Sequence, residues 1–422
     1  MSKSPSTTLS LVATDQGWSL LDRPLPELLD LPESPTGLVR VYLSRSSVSH
    51  TQAQVMSRQR VADQGRVLGH EGVGWVVSAT PRAHAWLADQ DTPLSFGDRV
   101  AVFPFLPCAG VDPQGRPTNC SACLADRPEE CSGLRALGVD VDGLLTQWCD
   151  LPPQILHKIP AIWPSTDQAW TDLLYTEAVA QALIAATTPA LATARHIAVV
   201  GRGAVHELTA RIVEAVHFGW SFPNLKNPSP TPPSLGIESD LSVEGKIEDP
   251  TQQPTEIQQQ GREEAWLSSV RVHRLDPSAL PRHPRAFDVI IETWADPASL
   301  ADMFQALRGN GVLVRKSRPG GGISLLRQSA PMMPVRVVQA PYGSFTAALS
   351  WMVKHPGALR DLDQDAHRWA PGRLASSHLG QYEQGGFPFT TEGCQAAMEA
   401  DRQRDQIGKV FMRIHDTQPP YA

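Results

Sequence analysis

The segment HIAVVGRGAVHELTARIVEA, residues 196 to 215, constrains the architecture of this chain more than any other. Residues 196 to 200 are a β-branched run without polar interruption after His196, the pattern of a strand buried on both faces of a parallel sheet. A glycine turn follows, and AVHELTARIVEAVHF then repeats apolar residues at helical spacing. Strand, glycine turn and helix make half of a βαβ unit. FDVIIET and GVLVRKS, separated by the helical pattern PASLADMFQALRG, supply a second alternation, and together these predict a doubly wound α/β domain. The first 165 residues read differently, with short strands, many turns and frequent proline, as in a mostly β domain. Between the two alternations, FPNLKNPSPTPPSLGIESDLSVEGKIEDPTQQPTEIQQQ is rich in Pro, Ser and Gln and poor in aliphatic residues, which predicts a flexible insertion over 222–260.

A chain of 422 residues with 41% hydrophobic residues can bury more than one core, so about two or three domains are expected. The formal net charge of −7 and the absence of a Lys/Arg cluster exclude nucleic acid as the main partner and favour small molecules. The N-terminal MSKSPSTTLSLVATDQGWSL has no basic run followed by an apolar core, and no later stretch is long enough to cross a bilayer. The expectation is a soluble, cytoplasmic protein without a membrane partner. In a reducing compartment clustered thiols do not persist as disulfides.

That matters for CAGVDPQGRPTNCSACLADRPEEC, residues 108 to 131, which holds four of the six cysteines. Cys120, Cys123 and Cys131 form C-x2-C-x7-C, and Cys108 stands upstream across a turn-rich insert with Gly, Pro and Asp. Four thiolates gathered by a loop that cannot pack itself suit tetrahedral zinc in a structural role, with no open position for substrate. The competing reading is a run of free thiols in a surface loop.

The flanks of this loop carry a resemblance. Upstream lie RVLGHEGVGWVVSA and then SFGDRVAVFPFLPC. The order GHE-G-x-G, GDRV and a four-cysteine lobe resembles the zinc-dependent medium-chain dehydrogenase/reductase family, the alcohol, polyol and threonine dehydrogenases. GVDVDGLLTQWCDLPPQILHKIP, DLLYTEAVAQALIA and PYGSFTAALSWMVKHPGAL continue the likeness over most of the chain, least clearly in its middle third. The resemblance implies a GroES-like, mostly β catalytic domain over 1–170 with its zinc lobe at 108–131. It also implies a Rossmann-type NAD(P)-binding domain over 171–335 and a C-terminal return to the catalytic domain over 336–422.

In the family an active-site zinc is held by a Cys on an early loop, by the His of GHE, and by a Cys, Glu or Asp at the entrance to the cofactor domain. Here the early loop reads SSVSHTQAQ, placing Ser49 at the cysteine position, His50 and Thr51 as expected, and Gln52 in place of an acid. A protonated hydroxyl is a poor zinc ligand beside a thiolate. His70, Glu71 and Glu177, with His50, remain as an N/O set with an open position for polarising an alcohol oxygen. In the resemblance Thr51 relays the alcohol proton. Other readings stand beside these: His70 as a hydrogen-bonding corner residue, Glu177 as an acid favouring a helix dipole, and Thr51 as an ordinary loop hydroxyl.

The cofactor turn VVGRGAVHEL offers Gly201 and Gly203 for a close pyrophosphate approach at a helix N-terminus, with His206 where the third glycine belongs. About twenty residues on, where an acid would grip an NAD ribose, stand Asn224 and Lys226, which tilts a cofactor towards NADP. Two functions are therefore carried forward. The first is an oxidoreductase moving hydride between a small alcohol or carbonyl and NAD or NADP, with structural zinc and a second, catalytic zinc. The second is a catalytically silent, zinc-stapled binding or scaffold protein. Homo-oligomerisation is left open by the sequence.

Overall fold

The computed structural model describes residues 5–15, 17–30, 36–48, 63–88, 93–108, 120–124, 131, 133–218, 270–293, 299–316, 335–340, 342–359, 362, 386–402 and 410–415. A two-stranded ribbon, β1 (Thr7–Thr14) and β2 (Gly17–Pro24), precedes β3 (Val39–Val48), β4 (Gly72–Ala79) and helix α1 (Pro81–Ala88). Then come β5 (Arg99–Val102), β6 (Phe105–Leu106), the short helix α2 (Ser121–Leu124), β7 (Arg135–Ala136), β8 (Trp148–Leu151) and β9 (Leu156–Lys158). Helices α3 (Asp167–Asp172) and α4 (Thr176–Ala186) lead to β10 (His196–Val200), α5 (Gly203–Phe218), β11 (Arg271–Leu275), β12 (Phe287–Glu292), α6 (Leu300–Ala306), β13 (Leu307–Arg315) and β14 (Arg336–Gln339). The described chain closes with α7 (Phe345–Lys354), β15 (Phe387–Pro388), α8 (Thr391–Arg402) and β16 (Val410–Arg413).

The first sheet is organised around β3. It pairs antiparallel with β4, β8 and β16, and all ten of its residues are buried. Burying Arg40 and Arg45 there is tolerable because each finds acceptors. Arg40 forks onto Asp150, at 2.8 Å for both bonds, while Arg45 reaches Asp167 at 3.0 Å and the carbonyl of His415 at 2.6 Å. Gly74 on β4 has no room for a side chain, since a Cβ would lie 2.2 Å from the Tyr42 carbonyl. The last described strand, β16, pairs with β3, so the end of the chain completes the sheet that its beginning started.

The second sheet is parallel, with strand order β11-β10-β12-β13-β14. Ile197, Ala198, Val199 and Val200 on β10 are 0% exposed, and burying each Val or Ile side chain stabilises by about 1.5–3 kcal/mol. Successive strands are added on opposite sides of β10, first β11 and then β12, so the chain direction across the sheet reverses there. A crevice at the carboxyl ends of β10 and β12 follows from that reversal. The strands and helix expected at 196–200, 203–218 and 287–292 form where the periodicity places them. The helix read from PASLADMFQALRG is shorter, Leu300–Ala306, because β13 already begins at Leu307. No helix among the described residues is long and apolar enough to cross a membrane.

Candidate metal centres and dinucleotide crevice

The sulfurs of Cys108, Cys120, Cys123 and Cys131 all lie within 4.8 Å of one another. Cys108 Sγ and Cys123 Sγ are 3.7 Å apart, close to the ~3.8 Å edge of a tetrahedron with zinc–sulfur bonds of about 2.3 Å. Backbone N–H groups point at these sulfurs: Cys108 N donates to Cys131 Sγ at 3.1 Å, Cys120 N to Cys108 Sγ at 3.4 Å and Gly133 N to Cys131 Sγ at 3.4 Å. Such donors favour thiolate. The Cys120 thiol is brought down to about 6, first by a backbone hydrogen bond from Cys123 and then by its sulfur neighbours, while burial pushes Cys123 up. The donor set and its spacing fit a structural zinc, and the six cysteines form no disulfide.

A second group joins the β domain to helix α4. His70 and Glu71 stand just before β4, and Glu177 lies in the first turn of α4. One ligand atom of each falls within 4.8 Å of the other two, and His70 Nε2 is 3.6 Å from Glu177 Oε2, with side chains 12% and 13% exposed. Tetrahedral N/O coordination at 2.0–2.1 Å asks for ligand separations of about 3.3 Å, so a small adjustment suffices and the set fits a metal. Two serines of β3 hold Glu71 in place. Ser46 Oγ donates to its carbonyl at 2.9 Å, and Ser47 Oγ donates to its Oε2. Ser49, His50, Thr51 and Gln52 lie outside the described residues.

At the crevice both predicted glycines have a local reason. A Cβ on Gly201 would sit 2.0 Å from Thr293 Oγ1, because Thr293, following β12, bonds the Val200 carbonyl through both its N–H (2.9 Å) and its hydroxyl (3.0 Å). Gly203 has φ +74°, a left-handed conformation that disfavours any side chain, and it starts α5. The first turn of α5 contains no acid, so its N–H groups and dipole offer what a pyrophosphate requires. His206 packs beneath this turn. It is 2% exposed, and its Nε2 lies 3.0 Å from the Val199 carbonyl. Burial holds its pKa down, so the ring is neutral and donates that hydrogen bond.

The sequence reading did not find the second strand of this domain. It is β11, which pairs parallel with β10, and Asp276 follows it directly, where an acid reaches the ribose in a doubly wound sheet. Asp276 is already engaged: Oδ2 accepts from Arg202 Nε at 2.6 Å, and Oδ1 from Arg202 Nη2 at 3.1 Å and Ser278 N at 2.9 Å. Arg202 belongs to the glycine turn itself, so the two rims of the crevice are tied by a bidentate ion pair. The residues proposed for this role from sequence spacing, Asn224 and Lys226, lie outside the described residues. The alternation in RVHRL followed by Asp was the signal available.

A parallel sheet with a glycine turn at its switch point, joined by a ligand trio to a β domain carrying a four-cysteine lobe, defines the class: a GroES-like domain coupled to a doubly wound α/β domain. Residues 35–161 match the alcohol dehydrogenase GroES-like domain. An uncharacterized zinc-type alcohol dehydrogenase-like protein of Haemophilus influenzae is 29% identical over 154 residues, 36% of this chain and 38% of that protein. The chain thus spans well under half the length of the curated relatives it matches. Over nearly the whole chain the fold is similar to that of L-idonate 5-dehydrogenase from Escherichia coli, with a TM-score of 0.58, 18% identity and coverage of 96% and 98% of the two chains. It is likewise similar to an E. coli alcohol dehydrogenase complexed with NADH, at TM-score 0.54, 15% identity and coverage of 97% and 100%.

Proposed function

We propose that this chain is a zinc-containing oxidoreductase that transfers hydride between a small alcohol or carbonyl compound and NAD(P). The observation that carries this reading is the meeting of His70 and Glu71, which precede β4, with Glu177 of helix α4. His70, Glu71 and Glu177 would hold a zinc ion, which when bound supplies Lewis-acid polarisation of the substrate oxygen. Cys108, Cys120, Cys123 and Cys131 would hold a second zinc whose role is to fold the lobe. Ser47 orients Glu71 by donating to one carboxylate oxygen. Gly201, Gly203 and the first N–H groups of α5 would hold the dinucleotide pyrophosphate, and its nicotinamide would supply the hydride acceptor or donor. Thr51 would take the proton from the alcohol oxygen and relay it outward, with His50 helping to polarise that oxygen, as hydride leaves carbon. Ser49 stands in the sequence position where the resemblance leads one to expect a thiolate ligand and would offer only a neutral hydroxyl.

The test is metal analysis together with a dehydrogenase screen on polyols, simple alcohols and their carbonyl partners with both dinucleotides. Freshly purified protein should carry two zinc equivalents, one of them lost under mild chelation. His70→Ala should lose only the labile metal and abolish turnover, with nearly unchanged melting. One zinc per chain, no turnover and no dinucleotide-induced thermal shift would overturn the oxidoreductase reading in favour of the zinc-stapled scaffold.

A further inference from the structure

Lys316 is a lysine 6% exposed at the carboxyl end of β13. Its Nζ donates to Thr209 Oγ1 on α5 at 2.7 Å, and that hydroxyl in turn donates to the Val205 carbonyl at 2.7 Å. Its N–H donates to the carbonyl of Glu292 at 3.1 Å. Three charges therefore crowd the carboxyl ends of β12 and β13: Glu292 (1% exposed), Arg315 (6%) and Lys316. Glu292 Oε2 lies 3.7 Å from Arg315 Nε, and Glu177 faces His70. Among the described residues the hydrogen-bonding partner of the Lys316 ammonium is a neutral hydroxyl, so no direct contact cancels its charge. Burial pushes its pKa down to about 7, with Glu292 and then Glu177 pulling upward.

The topology says which half of a dinucleotide meets this charge. A dinucleotide lies across the switch point with its pyrophosphate at the α5 N-terminus and its adenosine ribose on the side of the second strand. Here that side is β11, with Asp276 and Arg202. The nicotinamide half then falls on the β12 and β13 side, beside Glu292, Arg315 and Lys316. An oxidised nicotinamide ring is cationic and a reduced one is neutral. Resting on the oxidoreductase reading above, we propose that Lys316 is a specificity-determining residue that makes the chain bind reduced dinucleotide in preference to oxidised. The on-enzyme equilibrium is thereby shifted towards bound reduced dinucleotide, while release of the oxidised dinucleotide that carbonyl reduction leaves behind is favoured. In that direction the reduced nicotinamide gives hydride to the carbonyl carbon, a proton is added to the carbonyl oxygen, and oxidised dinucleotide is released from a site that repels it.

The experiment is calorimetric titration of the full chain at pH 6 with NADH, NAD+, NADPH and NADP+. The readout is the ratio of oxidised to reduced Kd within whichever pair binds. A buried unit charge on the nicotinamide side of the crevice is expected to give a ratio of about ten or more. Lys316→Met should bring the ratio towards one. Lys316→Gln, whose amide can still reach Thr209, is a second neutral variant should methionine not fold. Equal Kd values for the two forms in the parent overturn the assignment, as does an unchanged ratio in either folded variant. Absence of any dinucleotide binding to the parent instead overturns the oxidoreductase reading, and this assignment with it.

Discussion

Replacing Arg274 with methionine removes one charge from the seam between β11 and α5 while keeping the length of the side chain. Arg274 Nε is 2.9 Å from Glu207 Oε2, and its Nη1 and Nη2 are 2.5 and 2.7 Å from the two oxygens of Glu214. The three side chains are 14%, 5% and 10% exposed. At charge separations of about 4 Å and an effective dielectric of about 20, each pair gains roughly 4 kcal/mol. Desolvation of the ions offsets most of that in the intact network. Once the cation is gone the offset is no longer compensated. Glu214 keeps its burial, and Glu207 keeps Arg211 Nε at 3.0 Å. The expected loss is about 3–5 kcal/mol, read as a lower-melting transition in scanning calorimetry. The pH dependence gives a second check. Burial pushes the Glu207 carboxyl up, but Arg274 and then Arg211 overcome it and hold the carboxyl below its usual range. A depressed folded-state pKa contributes stability above the unfolded value of about 4.3 that is lost as pH falls through the folded value. In Arg274→Met, burial is opposed by Arg211 alone, so the carboxyl rises and protonation relieves it. The deficit of the variant should therefore shrink between pH 8 and pH 5. A loss under about 1 kcal/mol at pH 8, or a deficit that does not change with pH, refutes this account.

Cys120→Ser should lower bound zinc by about one equivalent and destabilise the lobe; unchanged zinc content by atomic absorption would exclude the four-thiolate site. Gly203→Val places a β-branched residue at φ +74° and a side chain where a pyrophosphate would approach. Dinucleotide affinity should fall at least tenfold in fluorescence titration while the far-UV spectrum is kept, and equal affinity in variant and parent would remove Gly203 from the site.

The parts of this protein legible in its sequence are those set by neighbours along the chain. Residues 196 to 200 read as a buried strand because an uninterrupted β-branched run has no polar face to turn outward, and the following helix announced itself by apolar spacing. The four cysteines were readable because one loop carries all of them, so chain connectivity limits how far apart they can lie. His70, Glu71 and Glu177 were nominated through the family resemblance, yet their approach depends on how α4 docks against the β domain, which no local pattern encodes. Asp276 was missed because spacing along the chain was used to look for it, whereas a strand is selected by pairing with β10 whatever the length of the segment before it. As a sheet edge β11 is only half buried, with Arg271 exposed and the four residues after it partly buried, so its apolar signal is weak. Lys316 is the sharpest case. In sequence it is a polar residue ending a strand and reads as solvent-facing, and only the packing of β13 against α5 places its ammonium in the interior, against Thr209 and away from the screening of water.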